Sequence, residues 1–476
     1  MILSRDIVEN TEKLKQIFPI NKSFDIITKK LLIGNTKAFW IGINGFCNND
    51  ILLHLISELQ FQTFDTDTIL EDINVFVASY IGYIQAKTSS DFDELSKNLL
   101  SGSSFLIVDG FDTAIIIDAR SYPMRGIQEP DAEKVMRGAK DGFIETLVSN
   151  TALIRRRIRN PDLTFELKSV GSDSQTDVVL AYVDGMVDHE LLTKLKDKID
   201  SLDVSALTMG AKSLEELLIK KKWYTPLPQT RYTERPDVAC SFLLEGYIVI
   251  IVDNSPTALV FPCTLFQFTQ HPDDYYQNPL IGNYLRFLRF ACILASLFVM
   301  PIFLLLGGYV HNLPSWLRVI TTGEVTPWKL FTYVIVIEVG LDIFKYSSAT
   351  AASGYSHSLG LIGGLLIGNM AVDLKWLNLE SLFYGAATLL ANVSISSQEF
   401  SDAIRIYRLS LVILTGFFGI PGFVIGVILI ILSMSMTKSF GDKSYLWPLI
   451  PFKWSALSKI LFRYPTPKVQ EKKYKN

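Results

Sequence analysis

The distribution of charge divides this chain near residue 284. Residues 1–284 carry 67 of the 93 charged side chains, about 24 % of positions, which is the density of a water-soluble fold. Residues 285–435 carry only 15, in short clusters between apolar runs as long as membrane helices. Residues 436–476 have nine Lys or Arg against two acids. The sequence therefore predicts a soluble region, a multi-span membrane region and a basic tail.

The order of predicted elements indicates the fold class. Helical periodicity at residues 7–17 and 50–59 is mixed with short β-branched runs around turn residues such as Gly34 and Gly110. This predicts an α/β (α+β) cytosolic N-terminal region of two subdomains, followed by an α-helical multi-span membrane domain. We place the boundaries at 1–125, 126–280, 281–437 and 438–476.

An internal similarity supports two subdomains. Residues 104–110 and 115–118 resemble residues 241–246 and 250–253. We interpret each pair as a strand, an acidic-glycine turn and a second strand ending in Asp. The alternative is that β-hairpins simply look alike.

Charge and motif content exclude several functions. The soluble half sums to about −11 and the tail to +7, which argues against nucleic acid and suits an anionic cytoplasmic leaflet. The four cysteines form no CxxC pair, which indicates neither zinc nor disulfides. The five histidines are isolated and no nucleotide-binding or hydrolase motif occurs. We expect no enzyme and no cofactor, and, with no apolar leader at the start, a cytosolic N-terminal region.

A cluster of arginines ends a predicted helix that Asn160-Pro161 terminates. Two interpretations remain open for it. The cations complement the helix dipole in a solvated helix end, or they pack against an acidic neighbouring subunit. The candidate interface residues are Arg155, Arg156, Arg157 and Arg159.

Five apolar runs are candidate spans: Leu285–Val310, Trp328–Tyr346, Leu359–Val372, Leu382–Val393 and Ile404–Thr437. The last is too long for one simple crossing and is broken at residues 419–422. Five crossings would separate the basic tail from the soluble half. We expect both on the cytoplasmic side, so either the break makes a helical hairpin or one short segment does not cross.

Two features of the membrane region could line a pore. Glu338, Asp342 and Lys345 share one helix face, and Glu338 falls near mid-span, where an ionisable group needs a partner or water. A polar cavity or pore is one interpretation; an interfacial position is the alternative, and it is weaker for Glu338 than for Asp342.

The second feature is a glycine face in the third span. Gly360, Gly364 and Gly368 recur every fourth residue, an arrangement that lets helices pack backbone to backbone. A narrow pore flanked by Leu365 is the alternative. Tight packing and a narrow pore are compatible if identical helices from several subunits pack around an axis.

Several long motifs carry a family resemblance. The strings RGAKDGFIET (137–146), NTALIRRRIRNP (150–161) and PLIGNYLRFLR (279–289) resemble the signature of the A subunits of spore-germination receptors, the GerA type. The resemblance covers nearly the whole chain. Residues 23–26 and the ending at 462–467 are similar to one sporulation-stage branch of that family, and the longer polar extension usual in receptor A subunits is missing.

The resemblance implies a multi-pass protein of the spore inner membrane that oligomerises into an ion-conducting channel. In that branch the protein amplifies the germination response and acts with a small membrane partner. The alternative is a nutrient-sensing A subunit that acts with B and C subunits. Arg286 and Arg289, at the entry to the first span, are candidates for coupling the soluble half to the pore.

Overall fold

The computed structural model describes residues 2–61, 73–122, 138–219, 225–310, 325–350, 376–442 and 444–464, with Glu133, Val135, Pro314 and Val372–Asp373. The chain divides into two compact units. The first is Met1–Lys220 with Thr230–Pro262, and the second is Lys221–Gln229 with Cys263–Asn476.

The first unit begins with a five-stranded antiparallel sheet in the order β1-β2-β4-β5-β3. Apolar side chains cover both of its faces. Because β4 and β5 are buried on both sides, all of their residues except Ser104 are apolar. The elements are α1 (Ile7–Ile17), β1 (Ile26–Ile33), β2 (Thr36–Ile43), α2 (Asn49–Phe61), α3 (Ile73–Tyr80), β3 (Ala86–Ser89), α4 (Phe92–Leu100), β4 (Ser104–Val108) and β5 (Ala114–Ile117).

A second antiparallel sheet follows in the same unit, with the order β6-β7-β9-β10-β8. One apolar core packs against it under the helices. Its elements are α5 (Leu147–Arg157), β6 (Leu163–Val170), β7 (Thr176–Val183), α6 (His189–Asp200), α7 (Ala211–Leu218), β8 (Arg231–Thr233), α8 (Pro236–Leu244), β9 (Ile248–Val252) and β10 (Ala258–Phe261). Since every pairing among the described strands is antiparallel, the region is α+β.

Equivalent hydrogen bonds show that the two sheets are copies of one arrangement. The Asn10 side chain bonds the backbone of Ser4 before α1, and Asn150 bonds the backbone of Ile144 before α5 in the same way. Asp109 after β4 accepts from the first N–H of α1, and Asp253 after β9 accepts from the first N–H of α5.

The predicted sequence similarity aligned the wrong elements of these copies. Residues 241–246 are the end of helix α8 and its glycine turn, not a strand. By position in the sheet, β9 corresponds to β4 and β10 to β5. Two subdomains exist, but the hairpin of the second copy begins at Ile248.

The second unit is helical. Its helices are α9 (Asp273–Tyr276), α10 (Pro279–Gly308), α11 (Pro327–Thr350), α12 (Leu379–Val393), α13 (Gln398–Met436) and α14 (Trp454–Leu461). Within the described ranges, α10 and α13 have the length and apolar composition needed to cross a bilayer. Of the predicted third span, only Val372 lies within the described residues.

Helix α13 is a hairpin. Gly419 has φ 62° and ψ −136°, which breaks the helix. The Tyr407 and Ser433 hydroxyls meet at 2.7 Å, although 26 residues separate them. A Cβ on Gly422 would collide with the Leu414 carbonyl oxygen. The structure thus answers the question left open for the last apolar run: its two arms, 398–418 and 420–436, run antiparallel.

Aromatic contacts define the two ends of the bundle. At one end, Phe400 at the start of α13 stacks on Phe268, 5.9 Å between ring centroids. At the other end, Trp328 at the start of α11 lies 5.8 Å from Phe417 beside the hairpin tip, where Tyr309 also approaches Gly419. The end of α10 and the start of α11 therefore lie at the tip end.

Candidate functional site

A buried ion pair joins the helices α11 and α13. The Nε of Arg408 donates to Oε1 of Glu338 at 2.8 Å, and its Nη2 donates to Oε2 at 2.7 Å. Both side chains are 2 % exposed. This parallel two-bond geometry is the strongest that a guanidinium and a carboxylate form. Glu338 thus has a protein partner.

Polar side chains from the other helices extend this pair into a network. Arg408 also donates to the backbone carbonyl of Ser296 in α10 at 3.1 Å and to its hydroxyl at 3.2 Å. Asn392 in α12 donates to the same hydroxyl at 3.2 Å and accepts from the Ser401 hydroxyl at 2.9 Å. All of these residues are buried. The network therefore ties α10, α11, α12 and α13 together at one level.

Two further ion pairs connect the same helices nearer to the start of α13. Asp342 lies 3.3 Å from Arg405, and Lys345 lies 2.7 Å from Asp402. These four side chains are half-buried, so water screens their attraction. Spacing predicted that Glu338, Asp342 and Lys345 share one face of α11. Each of these residues pairs with a residue of opposite charge on α13.

The sequence interpretation missed Arg408. A signal for it existed, because Asp402, Arg405 and Arg408 recur every third residue and form an acidic-basic-basic face, which complements the acidic-acidic-basic face of α11. The pairing itself joins residues 70 positions apart. No local pattern predicts such a separation.

The predicted glycine face lies outside the described residues. Gly360, Gly364, Leu365 and Gly368 are all in this range. A narrow pore at this face therefore stays a prediction.

The predicted arginine cluster has partners within the first unit. Helix α5 ends at Arg157, so Arg159 lies beyond it rather than in its last turn. Arg155 is fully buried and donates to both carboxylate oxygens of Asp25, at 2.7 and 3.1 Å. The other three contact Tyr122, Asp141 and Ser101: a ring stack for Arg156, an ion pair for Arg157 and a hydrogen bond for Arg159.

These contacts give Arg155 a structural role. It also donates to the carbonyl oxygens of Asn160 and Leu163, so it joins the segment before β1 to the turn before β6. One arginine thereby links the two copies of the sheet arrangement. An interface with another subunit stays a prediction for the remaining arginines.

The predicted coupling residues Arg286 and Arg289 are buried around one carboxylate. Asp274 in α9 is fully buried and accepts from Arg289 at 2.9 and 3.0 Å and from Arg286 at 3.4 Å. The entry to α10 therefore carries its own buried charge cluster. Across the parts of the chain that the structure describes, no group of three His, Cys, Asp or Glu could hold a metal ion.

Comparison with known proteins identifies the family. Residues 12–474 match the family described as Bacillus/Clostridium GerA spore germination protein. The chain is 36 % identical to stage V sporulation protein AF of Bacillus subtilis (strain 168), over 97 % of this chain and 93 % of that protein. It is 30 % identical to the uncharacterized membrane protein YfkQ of the same organism, over 79 % and 73 % of the two chains.

A solved structure is also similar in sequence. The N-terminal domain of the A subunit of the Bacillus megaterium spore germinant receptor GerK3 shares 27 % identity and a TM-score of 0.43, over 55 % of this chain and 96 % of that one. The match over 463 of 476 residues, together with the close relative, decides the assignment. The chain belongs to the GerA family of spore germination proteins.

Proposed function

We propose that this protein is a membrane subunit that assembles with copies of itself into an ion-conducting channel in spore germination. The channel releases ions and thereby amplifies the germination signal. The observation that carries this proposal is the buried polar network around Glu338 and Arg408, which lies within a bundle of largely apolar helices. The family membership supports the role in germination.

The energetics of the network favour a function over a structural role alone. Replacing a buried ion pair by apolar residues of similar volume is often neutral or stabilising by about 1–4 kcal/mol. Ionisable residues inside membrane helices are rare, and they mark ion paths and proton relays. Three ion pairs between α11 and α13 offer charged partners that can exchange when the helices shift.

The packing of the bundle supports an assembly of several copies. Among the described helices, the space beside the network is filled by apolar side chains of one core cluster, which contains Met300, Phe303, Leu304, Val334, Ile337 and Val412. A water-filled path therefore fits better between copies than through these four helices. The glycine face predicted around Gly364 is our candidate for that path.

The same proposal covers location and partners. We place the protein in the spore inner membrane as a multi-pass protein with a cytosolic N-terminal region. Its partners are further copies of the chain and a small membrane protein or the germinant receptor subunits. We propose no enzymatic activity.

Ion release from spores tests the channel. In the double variant Glu338→Leu/Arg408→Leu we expect the protein to reach the membrane while ion release, followed by the conductivity of the medium, becomes several-fold slower. Gly364→Leu and Leu365→Asn should also change the release. Gly340→Leu is the matched control, because the space at Gly340 is open. Unchanged release in all three test variants would remove the channel assignment.

The response to different nutrients separates the two roles within the family. An amplifier slows the response to every nutrient when it is deleted, whereas a receptor subunit abolishes the response to particular nutrients. We expect uniform slowing. Loss of one nutrient response alone would identify a nutrient-sensing subunit that acts with B and C subunits.

A further inference from the structure

The segment after the hairpin is fastened to the start of the first membrane helix. Arg286 in α10 donates to the carbonyl oxygens of Lys459 and Ile460 at the end of α14, at 3.1 and 2.8 Å. Arg463 donates in return to the carbonyl oxygens of Gln277 and Tyr275, at 2.7 and 2.8 Å. Charged donors make these bonds stronger than neutral ones.

Apolar packing supports the same attachment. Leu457 and Ile460 on the inner face of α14 are buried in a small cluster with Phe266 and Phe290. Asn283 adds a hydrogen bond of 2.7 Å from the N–H of Arg463. The inner face of α14 is thus held at the level where the chain enters α10.

The outer face of residues 444–464 is apolar and basic. Phe452 and Trp454 are 66 % and 59 % exposed. Lys453 and Lys459 are exposed on this face, and the stretch contains no acid. Six large side chains lie on the exposed face: Leu449, Ile450, Phe452, Trp454, Phe462 and Tyr464.

We propose that residues 444–464 form an interfacial anchor that binds the anionic leaflet on the side from which α10 enters the membrane. Aromatic and aliphatic side chains beside lysines are the composition that binds at a lipid headgroup layer. Basic residues without neighbouring acids are attracted to anionic lipid headgroups. Added salt weakens this attraction. The following residues continue the charge pattern, with four lysines against one glutamate.

The attachment of residues 444–464 also determines on which side of the membrane the chain lies after α13. Residues 263–278 before α10 and residues 444–464 after α13 lie at the same end of α10. The chain therefore crosses the membrane an even number of times. Five apolar runs alone would give an odd number of crossings. Because the last run is a hairpin of two arms, it adds the sixth crossing.

Hydrogen exchange of the full chain in nanodiscs tests the anchor. In phosphatidylcholine mixed with phosphatidylglycerol, exchange in residues 444–464 should be slower than in phosphatidylcholine alone, by roughly fivefold for each basic residue near the surface. Lys453→Gln/Lys459→Gln and Phe452→Ser/Trp454→Ser should each remove most of this difference. Lys29→Gln/Lys30→Gln, two exposed lysines of β1, should keep it. Equal exchange in both lipids overturns the proposal.

Cysteine labelling from one side of sealed vesicles tests whether the first unit and residues 444–464 lie on the same side of the membrane. Ser455→Cys and Ser90→Cys are each placed at exposed positions in a Cys47→Ser/Cys292→Ser background, where the remaining Cys240 and Cys263 are buried. A membrane-impermeant maleimide should modify both new cysteines from the same side. Modification from opposite sides overturns the even number of crossings.

Discussion

Arg408 holds the carboxylate of Glu338 with two hydrogen bonds of 2.8 and 2.7 Å, and a third of its N–H groups reaches the carbonyl oxygen of Ser296 at 3.1 Å. One side chain thereby fixes three helices. The Arg408 side chain is only 2 % exposed, so solvent can hardly replace a lost partner. The stability of the bundle should therefore depend on both charges being present together.

Removing one member of this pair should destabilise the protein more than removing both. Glu338→Leu or Arg408→Leu leaves an uncompensated buried charge, at a cost of about 3–5 kcal/mol, whereas the double variant should recover most of it. Thermal unfolding in detergent measures the three variants as a double-mutant cycle. Additive losses would show that the pair does not act as a unit.

The hairpin should not tolerate a methyl group at Gly422. Gly422→Ala pushes a Cβ into the Leu414 carbonyl oxygen, so we expect a loss of about 1–3 kcal/mol from overpacking and a lower melting temperature. Gly340→Ala in α11 is the control, since no atom lies near its Cβ position. Equal melting temperatures would contradict the close approach of the two arms.

The buried contact between Asp25 and Arg155 should hold the two sheets of the first unit together. Asp25→Asn removes the charge that the fully buried Arg155 needs, at about 3 kcal/mol or more. Asp184→Asn breaks only the exposed pair with Lys22 and should cost under about 1 kcal/mol. Hydrogen exchange of the full chain should speed up around residues 23–25 and 160–165 in the first variant only.

Two cysteines of the first unit should resist alkylation. Burial raises the pKa of the Cys47 thiol to about 11 and that of Cys240 to about 12. Because the thiolate is the nucleophile, little reactive form exists at pH 8, and it increases as the pH rises towards these values. Mass spectrometry after iodoacetamide treatment should find both unmodified in the native chain and modified in the denatured chain. Rapid native modification at pH 8 would contradict the raised pKa of the partly buried Cys47 and of the buried Cys240.

Much of the fold follows from local pattern. The helix Ile7–Ile17 occurs at the predicted residues, because Asp6 caps its start and apolar residues recur on one face. The hairpin of β1 and β2 turns at the predicted Gly34, which has a positive φ, together with Asn35. These features depend on neighbours in the sequence, so they are visible there.

Other features depend on distant residues and were not predicted. The run SFLLEG at residues 241–246 has the composition of a strand, but Pro236 starts a helix that continues through it and packs on the second sheet. The partner of Glu338 lies in another helix. Its position near mid-span indicated that the Glu338 carboxylate needs a charged partner or water. The packing of α11 on α13 gives it Arg408 as that partner.

The hairpin of α13 bears on how the protein enters its membrane. Gly419 reverses the chain with a single residue, and the tip around it consists of aromatic and aliphatic side chains such as Phe417 and Ile420. No charged loop has to be moved through the hydrocarbon layer, which is the costly step in translocating a connection between helices. In the proposed membrane location, we expect the two arms to insert together from one side.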